Sequence, residues 1–183
     1  MEQFGKFKLM KRLGAGGMGE VYLARPDPHT LSIDGAQPDL VVVKRILPHL
    51  TTNPRFLRLF LDETRIAARL VHKNIARIYE LGEVKGTWYV AMEYVPGRDL
   101  RDLLRRARVA ESFISPEVVL RIGVDVCQAL EYAHKATDGT GKPLRIVHRD
   151  VSPHNVLISR FGDVKLCDFG VAKAANKAMY TAS

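Results

Sequence analysis

The apolar pattern of this chain passes from mainly strand-like to helical near residue 95, and that change limits the folds open to it. Before it, apolar residues alternate. Phe7, Leu9 and Leu13 fall on one face of a period-two run, Val21 and Leu23 share a face, and residues 40–46 are rich in β-branched side chains. These are marks of half-buried strands. Residues 76–84 and 87–94 read as two more strands joined at Lys85-Gly86. One helix interrupts them: Asn53 can cap it, Pro54 suits its first position, and Phe56, Phe60, Ala67 and Leu70 can share a stripe. Residues 26–38, rich in proline and other turn formers, read as an exposed loop. After residue 95 the period is helical, over 100–108 and then from Ser115-Pro116, where Val119, Ile122, Val126, Leu130 and Ala133 recur at helical spacing. The expected class is α+β, with five strands and one helix followed by a helical part.

At 183 residues and 46% hydrophobic content, the chain can bury a core as one domain or two small lobes. No stretch approaches the roughly 20 apolar residues of a membrane span, and Met1 leads into charged residues rather than a secretion signal. A soluble, cytoplasmic protein is the expectation. Cys127 and Cys167 are too few for a disulfide scaffold and read as buried thiols. The net charge of +8 raises nucleic acid or an anionic membrane as partners. Lys and Arg are spread along the chain, however, and the densest run, Arg98 to Arg108, alternates with leucines like a solvated helix face. With no aromatic-and-basic platform beside it, nucleic acid is not an expected partner.

Chemistry enters at three places. Gly14-Ala15-Gly16-Gly17-Met18-Gly19 has the spacing G-x-G-x-x-G, which lets backbone amides approach phosphate oxygens with no Cβ in the way. A dinucleotide-binding fold would continue into a helix; Val21-Tyr22-Leu23-Ala24 reads as a strand, so a hairpin over a nucleotide is expected. Lys44 ends the run Val41-Val42-Val43, and Glu63 lies on the following helix, where it can orient the lysine toward phosphates. Finally, His148-Arg149-Asp150-Val151-Ser152-Pro153-His154-Asn155 is followed, thirteen residues after its Asn, by Asp168-Phe169-Gly170. Two acids and an amide at that spacing can supply one base and two magnesium ligands around a triphosphate.

Taken in order, the glycine loop, Lys44, Glu63, Met92-Glu93-Tyr94-Val95, His-Arg-Asp and Asp-Phe-Gly resemble the protein kinases, specifically the eukaryotic-type serine/threonine kinases of bacteria, from about Phe4 onward. The resemblance implies a protein-kinase-like fold: a β-rich lobe over 1–95, an incomplete helical lobe over 96–183, and ATP with Mg²⁺ in the cleft between them. The partner it implies is a protein with a Ser or Thr hydroxyl. By the same resemblance Asp150 accepts or orients the hydroxyl proton, Asn155 and Asp168 hold Mg²⁺, and Lys44 with Glu63 positions the α- and β-phosphates. Leu13, Gly14, Gly16 and Gly19 would cover the nucleotide, and Val21, Val42 and Leu157 would sandwich adenine. The backbones of Glu93 and Val95 would bond its edge, with Met92 guarding the pocket behind.

Three positions depart from the family pattern. Ser152 stands where most such kinases carry a Lys on the γ-phosphate, a loss that His154 or another basic group could offset. Val42 replaces the usual Ala and narrows the roof over adenine. The chain ends at Ser183, before the Ala-Pro-Glu anchor and the later helices, so it reads as a truncated catalytic domain whose helix over 115–134 has a partly uncovered stripe. Arg149 implies control by phosphorylation, with Tyr180, Thr181 and Ser183 as the nearby hydroxyls. Cys167 can pack inertly or face the nucleotide, while His72 and His134 read as packing or helix-end residues. A non-catalytic ATP-binding scaffold and a small-molecule phosphotransferase stay open as alternatives.

Overall fold

The computed structural model describes residues 2–31 and 37–169. Two compact units form, residues 2–69 with Arg77–Tyr94, and Leu70–Ala76 with residues 95–169.

The first unit is built on an antiparallel sheet of β1 (Glu2–Phe4), β2 (Phe7–Gly16), β3 (Gly19–Pro26), β4 (Val41–Ile46), β5 (Ile78–Val84) and β6 (Thr87–Glu93), in the order β1-β2-β3-β4-β6-β5. The five expected strands are joined by β1, which is too short to show a period in sequence. One sheet face buries Phe4, Phe7, Leu9, Ala24, Val41, Val43, Tyr89 and Ala91, at about 1.5–3 kcal/mol for each large side chain. Leu13 does not join this face. Register shifts between Leu9 and Lys11 and between Arg12 and Gly14 break the alternation, and Leu13 ends 46% exposed. Lys85 and Gly86, with φ of 49° and 79°, close the β5–β6 hairpin in the left-handed region that such two-residue turns require.

A single turn, α1 (Pro48–Thr51), precedes α2 (Pro54–Ala67). Asn53 caps α2 as expected, its side chain accepting from the amides of Arg55 at 3.0 Å and Phe56 at 3.1 Å. Phe56, Phe60 and Ala67 form the buried stripe, with the two Phe rings stacked at 6.2 Å. Leu70 is buried but lies past the helix end.

The second unit contains α3 (Leu100–Val109), α4 (Pro116–Lys135), a 3-10 turn (Pro153–Asn155) and a sheet of β7 (Gly97–Asp99), β8 (Val156–Ser159) and β9 (Val164–Leu166) in that order. Asp99 caps α3 through the Asp102 amide at 2.6 Å. The buried stripe of α4 is Ile122, Asp125, Ala129 and Ala133, with Asp125 held by Arg121 Nε at 2.8 Å. Val119, expected on that stripe, is instead exposed along with Val118, Leu120 and Val124. Cys127 also departs from expectation: it lies on the exposed side of α4, and Cys167 is half-buried. Leu70–Ala76 was expected with the first lobe but belongs to this unit. Its backbone docks on β9, with the Ala76 amide donating to Leu166 O at 2.9 Å and the Leu166 amide to Asn74 O at 2.8 Å. Pairing across so long a separation leaves no mark in local periodicity. Among the described residues no helix is long and apolar enough to cross a membrane.

Candidate active site

In the first unit the glycine-rich segment is a hairpin. Gly16 pairs with Gly19, Ala15 with Glu20 and Gly14 with Val21, and the chain runs on as a strand. Gly19 is forced by packing: a Cβ there would lie 2.1 Å from the Arg45 carbonyl oxygen. Nearby, the Leu47 amide donates to Met18 O at 3.1 Å and ties the turn to the end of β4. Gly14, Gly16 and Gly17 are different, since a Cβ on any of them would meet nothing within 4 Å. The space beside their Cα atoms is open, which leaves room for a bulky ligand to approach the backbone.

Register then assembles one face of the sheet. Val21 pairs with Lys44, Lys44 with Val90, and Val42 with both Leu23 and Met92. Directly paired residues share a face, and alternate residues along a strand return to it. Val21, Val42, Lys44 and Met92 therefore lie together on the face opposite the Phe7, Val41 and Val43 core. Glu63 lies on α2, with Oε2 withdrawn from solvent. The Glu93 amide donates to Arg77 O at 2.8 Å and its carboxylate accepts from the Arg77 amide at 3.1 Å, so a ligand contact by the Glu93 backbone falls to its carbonyl.

The second unit holds the other predicted residues. Asn155 is 3% exposed, and its Nδ2 donates both to the Asp150 carbonyl and to Asp150 Oδ2, each at 2.9 Å. That pair of bonds fixes the amide and turns Oδ1 away from Asp150. The Cys167 amide donates to Asn155 O at 2.9 Å, so Asp168 follows directly on a residue tied to the loop. Leu157 lies on β8 between Asp99 and Lys165, and Val95 is buried. Ser152 Oγ lies 3.3 Å from the His154 ring nitrogens, and His154 Nε2 stands 3.8 Å from Asp150 Oδ2. Gly170, Tyr180, Thr181 and Ser183 lie outside the described residues.

Sequence reasoning missed the group that joins these pieces. His148 is 2% exposed; its Nε2 bonds the Cys167 carbonyl at 2.8 Å and its Nδ1 accepts from the Asp150 amide at 3.2 Å. One donating and one accepting nitrogen define a neutral imidazole. Burial also pushes its pKa below the ordinary value, against the raising effect of the Cys167 bond and of Asp150 and Asp168. Its ring packs on the buried Phe169 at 4.5 Å. Arg149 and Asp168 adopt φ of 68° and 62°, each a left-handed strain of order 1–3 kcal/mol for a non-glycine residue. The motif order marked His148, but its partner nineteen residues away was not legible there. His72 stacks on Tyr132 at 4.9 Å, a packing role as expected.

Among the described residues no cluster of three or more His, Cys, Asp or Glu side chains could hold a metal. Mg²⁺ needs no such cage, because phosphates and waters complete its octahedron beside one or two carboxylates. The fixed Asn155 amide and the adjacent Asp168 segment fit that requirement.

The antiparallel sheet with its glycine hairpin, and the separate loop that binds Asp150 to Asn155 and to the Asp168 segment, define a mixed α+β protein of the kinase-like fold. Residues 7–183 match the protein kinase domain family, and the chain belongs to that family. It is 42% identical over 181 residues to the tyrosine-protein kinase MasK of Myxococcus xanthus, covering 99% of this chain and 27% of that protein. It is 33% identical over 177 residues to the serine/threonine-protein kinase PrkC of Bacillus subtilis, covering 97% of this chain and 24% of that protein. The crystal structure of the PknI kinase domain of Mycobacterium tuberculosis superposes with a TM-score of 0.72 at 32% identity, over 93% of this chain and 62% of that one. The chain thus spans about a quarter of the length of the curated relatives it matches.

Proposed function

We propose that the chain is the ATP- and Mg²⁺-dependent catalytic part of a protein kinase that transfers the γ-phosphoryl group of ATP to a Ser or Thr hydroxyl. The observation that carries this reading is the preassembled loop, in which Asp150 and Asn155 are hydrogen-bonded together and Asn155 is bonded to the residue before Asp168. A loose phosphoryl-transfer transition state asks the protein chiefly for fixed positions and compensating charge. Asp150 takes the role of orienting the hydroxyl and accepting its proton. Asn155 and Asp168 would hold Mg²⁺, which supplies charge neutralisation of the phosphates when bound. Lys44, on the same sheet face as Val21 and Val42, serves the α- and β-phosphates while the two valines meet the adenine ring.

Incubation of the chain with γ-labelled Mg-ATP and a generic basic protein tests the reading. Transfer is expected, and Lys44→Met or Asp150→Asn should lower it at least about a hundred-fold. Unchanged turnover in both variants refutes the assignment. No transfer by the parent, with unfolding still delayed by Mg-ATP, favours the non-catalytic nucleotide-binding scaffold. The 42% identity to MasK supports tyrosine as a second acceptor, and phosphoamino-acid analysis of the product separates it from Ser and Thr.

A further inference from the structure

The run Arg98 to Arg108 holds five arginines and two aspartates. The aspartate within the helix, Asp102, gathers three of the arginines: Arg98 Nη1 at 2.7 Å, Arg105 Nη2 at 2.5 Å and Arg106 Nε at 2.9 Å. The three guanidinium side chains stay 52%, 68% and 52% exposed, so each keeps donors turned to solvent. Arg101, Arg105 and Arg108 recur at i, i+4 and i+7, forming a second row beside the Asp102 cluster. The pairs of Asp102 with Arg105 and Arg106, and the basic last turn of α3, steady the helix by a few tenths of a kcal/mol each, while α3 buries no residue of its own, so the arginines stay at the surface. A carboxylate shared among three guanidinium groups holds them in place before any ligand arrives, which lowers the ordering cost of binding.

The surroundings narrow what such a surface reads. α3 packs against the 3-10 turn Pro153–Asn155, which carries Asn155 and His154 of the Asp150 loop. The strand that leads into α3 continues the pattern, with Arg98 paired to Ile158 and Asp99 to Leu157 of β8. A row of fixed guanidinium groups beside that loop matches carboxylates arriving on the chain that bears the acceptor hydroxyl. We infer that the arginine face of α3 is a docking surface for an acidic polypeptide segment, so that the preferred protein substrates carry Asp- or Glu-rich sequence near the phosphorylated hydroxyl. The substrate half of this inference rests on the kinase reading above; the docking surface does not.

Fluorescence anisotropy on the 183-residue chain tests it at 0.15 M salt. The probes are a labelled peptide with one serine among Glu and Asp residues, its Gln and Asn counterpart, and a single-stranded DNA oligomer of equal charge. The acidic peptide should bind about ten-fold more tightly than the neutral one. Arg105→Glu with Arg106→Glu should abolish that preference, and the milder Arg105→Gln should reduce it should the double variant fail to fold. Lys8→Glu with Arg25→Glu, the same charge change on exposed β2 and β3 positions, should leave it within about two-fold. Equal affinity for the two peptides, equal loss in both double variants, or tighter binding of the DNA overturns the inference. Transfer from Mg-ATP to the same two peptides is read in parallel. Preference in binding without transfer keeps the docking surface and counts against the kinase reading, whereas transfer without preference does the reverse.

Discussion

His148→Leu is the sharpest probe of how the loop is held. The change keeps side-chain volume nearly constant and removes both ring hydrogen bonds, leaving the Cys167 carbonyl and the Asp150 amide without the partners they have at 2.8 and 3.2 Å. Each orphaned group costs about 1–3 kcal/mol, and the lost ring contact with Phe169 adds about 0.5–1.5 kcal/mol. The bonds are partly buried, which puts the sum in its lower half, about 2.5–5 kcal/mol. For a chain of this size that is a fall in Tm of roughly 5–20 °C, readable by calorimetry, with the loss in stability itself readable by urea titration. The pH dependence gives an independent check. Burial lowers the folded pKa of His148 below its ordinary value of 6.5, so between the two values the unfolded chain binds a proton the folded chain does not. Stability is therefore complete above the unfolded pKa and falls as pH drops below it, by up to about 1.4 kcal/mol per pH unit for this one group. His72 acts in the same direction, through desolvation and then Lys73 and Lys165, and is common to both proteins. The difference between parent and variant should consequently shrink as pH falls below about 6.5. A loss under about 1 kcal/mol at neutral pH, or a difference unchanged by pH, would refute the reasoning.

Two smaller changes test the first unit. Asn53→Ala removes the acceptor for the Arg55 and Phe56 amides and should cost about 1 kcal/mol in urea unfolding, whereas Asn53→Asp should retain most of it. Gly19→Ala puts a methyl group 2.1 Å from the Arg45 carbonyl oxygen; because the clash is with backbone, faster amide exchange is expected along β3 and β4, while Gly17→Ala, in open space, should leave exchange there unaltered.

Much of this arrangement was legible in the residues. Alternation located the five longer strands, and Asn53-Pro54 located the start of α2, because caps and periods are local properties of neighbouring residues. The motifs likewise identified Asp150, Asn155, Asp168 and Lys44 as the groups to examine, since phosphoryl chemistry narrows the useful residue types. The failures share a cause. Leu13 left its expected face through bulges set by pairing with β3, and Val119 and Cys127 lie on the exposed side of α4, whose buried stripe runs through Asp125. Periodicity says which residues can share a face; neighbouring elements select the face that is covered.

By itself, then, the sequence determined the α+β class, the order of the motifs and the chemistry available to them. Only tertiary structure put Val21, Val42, Lys44 and Met92 on one sheet face, docked Leu70–Ala76 on β9, and set a neutral His148 between the Asp150 amide and the Cys167 carbonyl. The physical reason is separation along the chain: register and buried hydrogen bonds join groups far apart in sequence, and their free energy exists only once both partners have left water together.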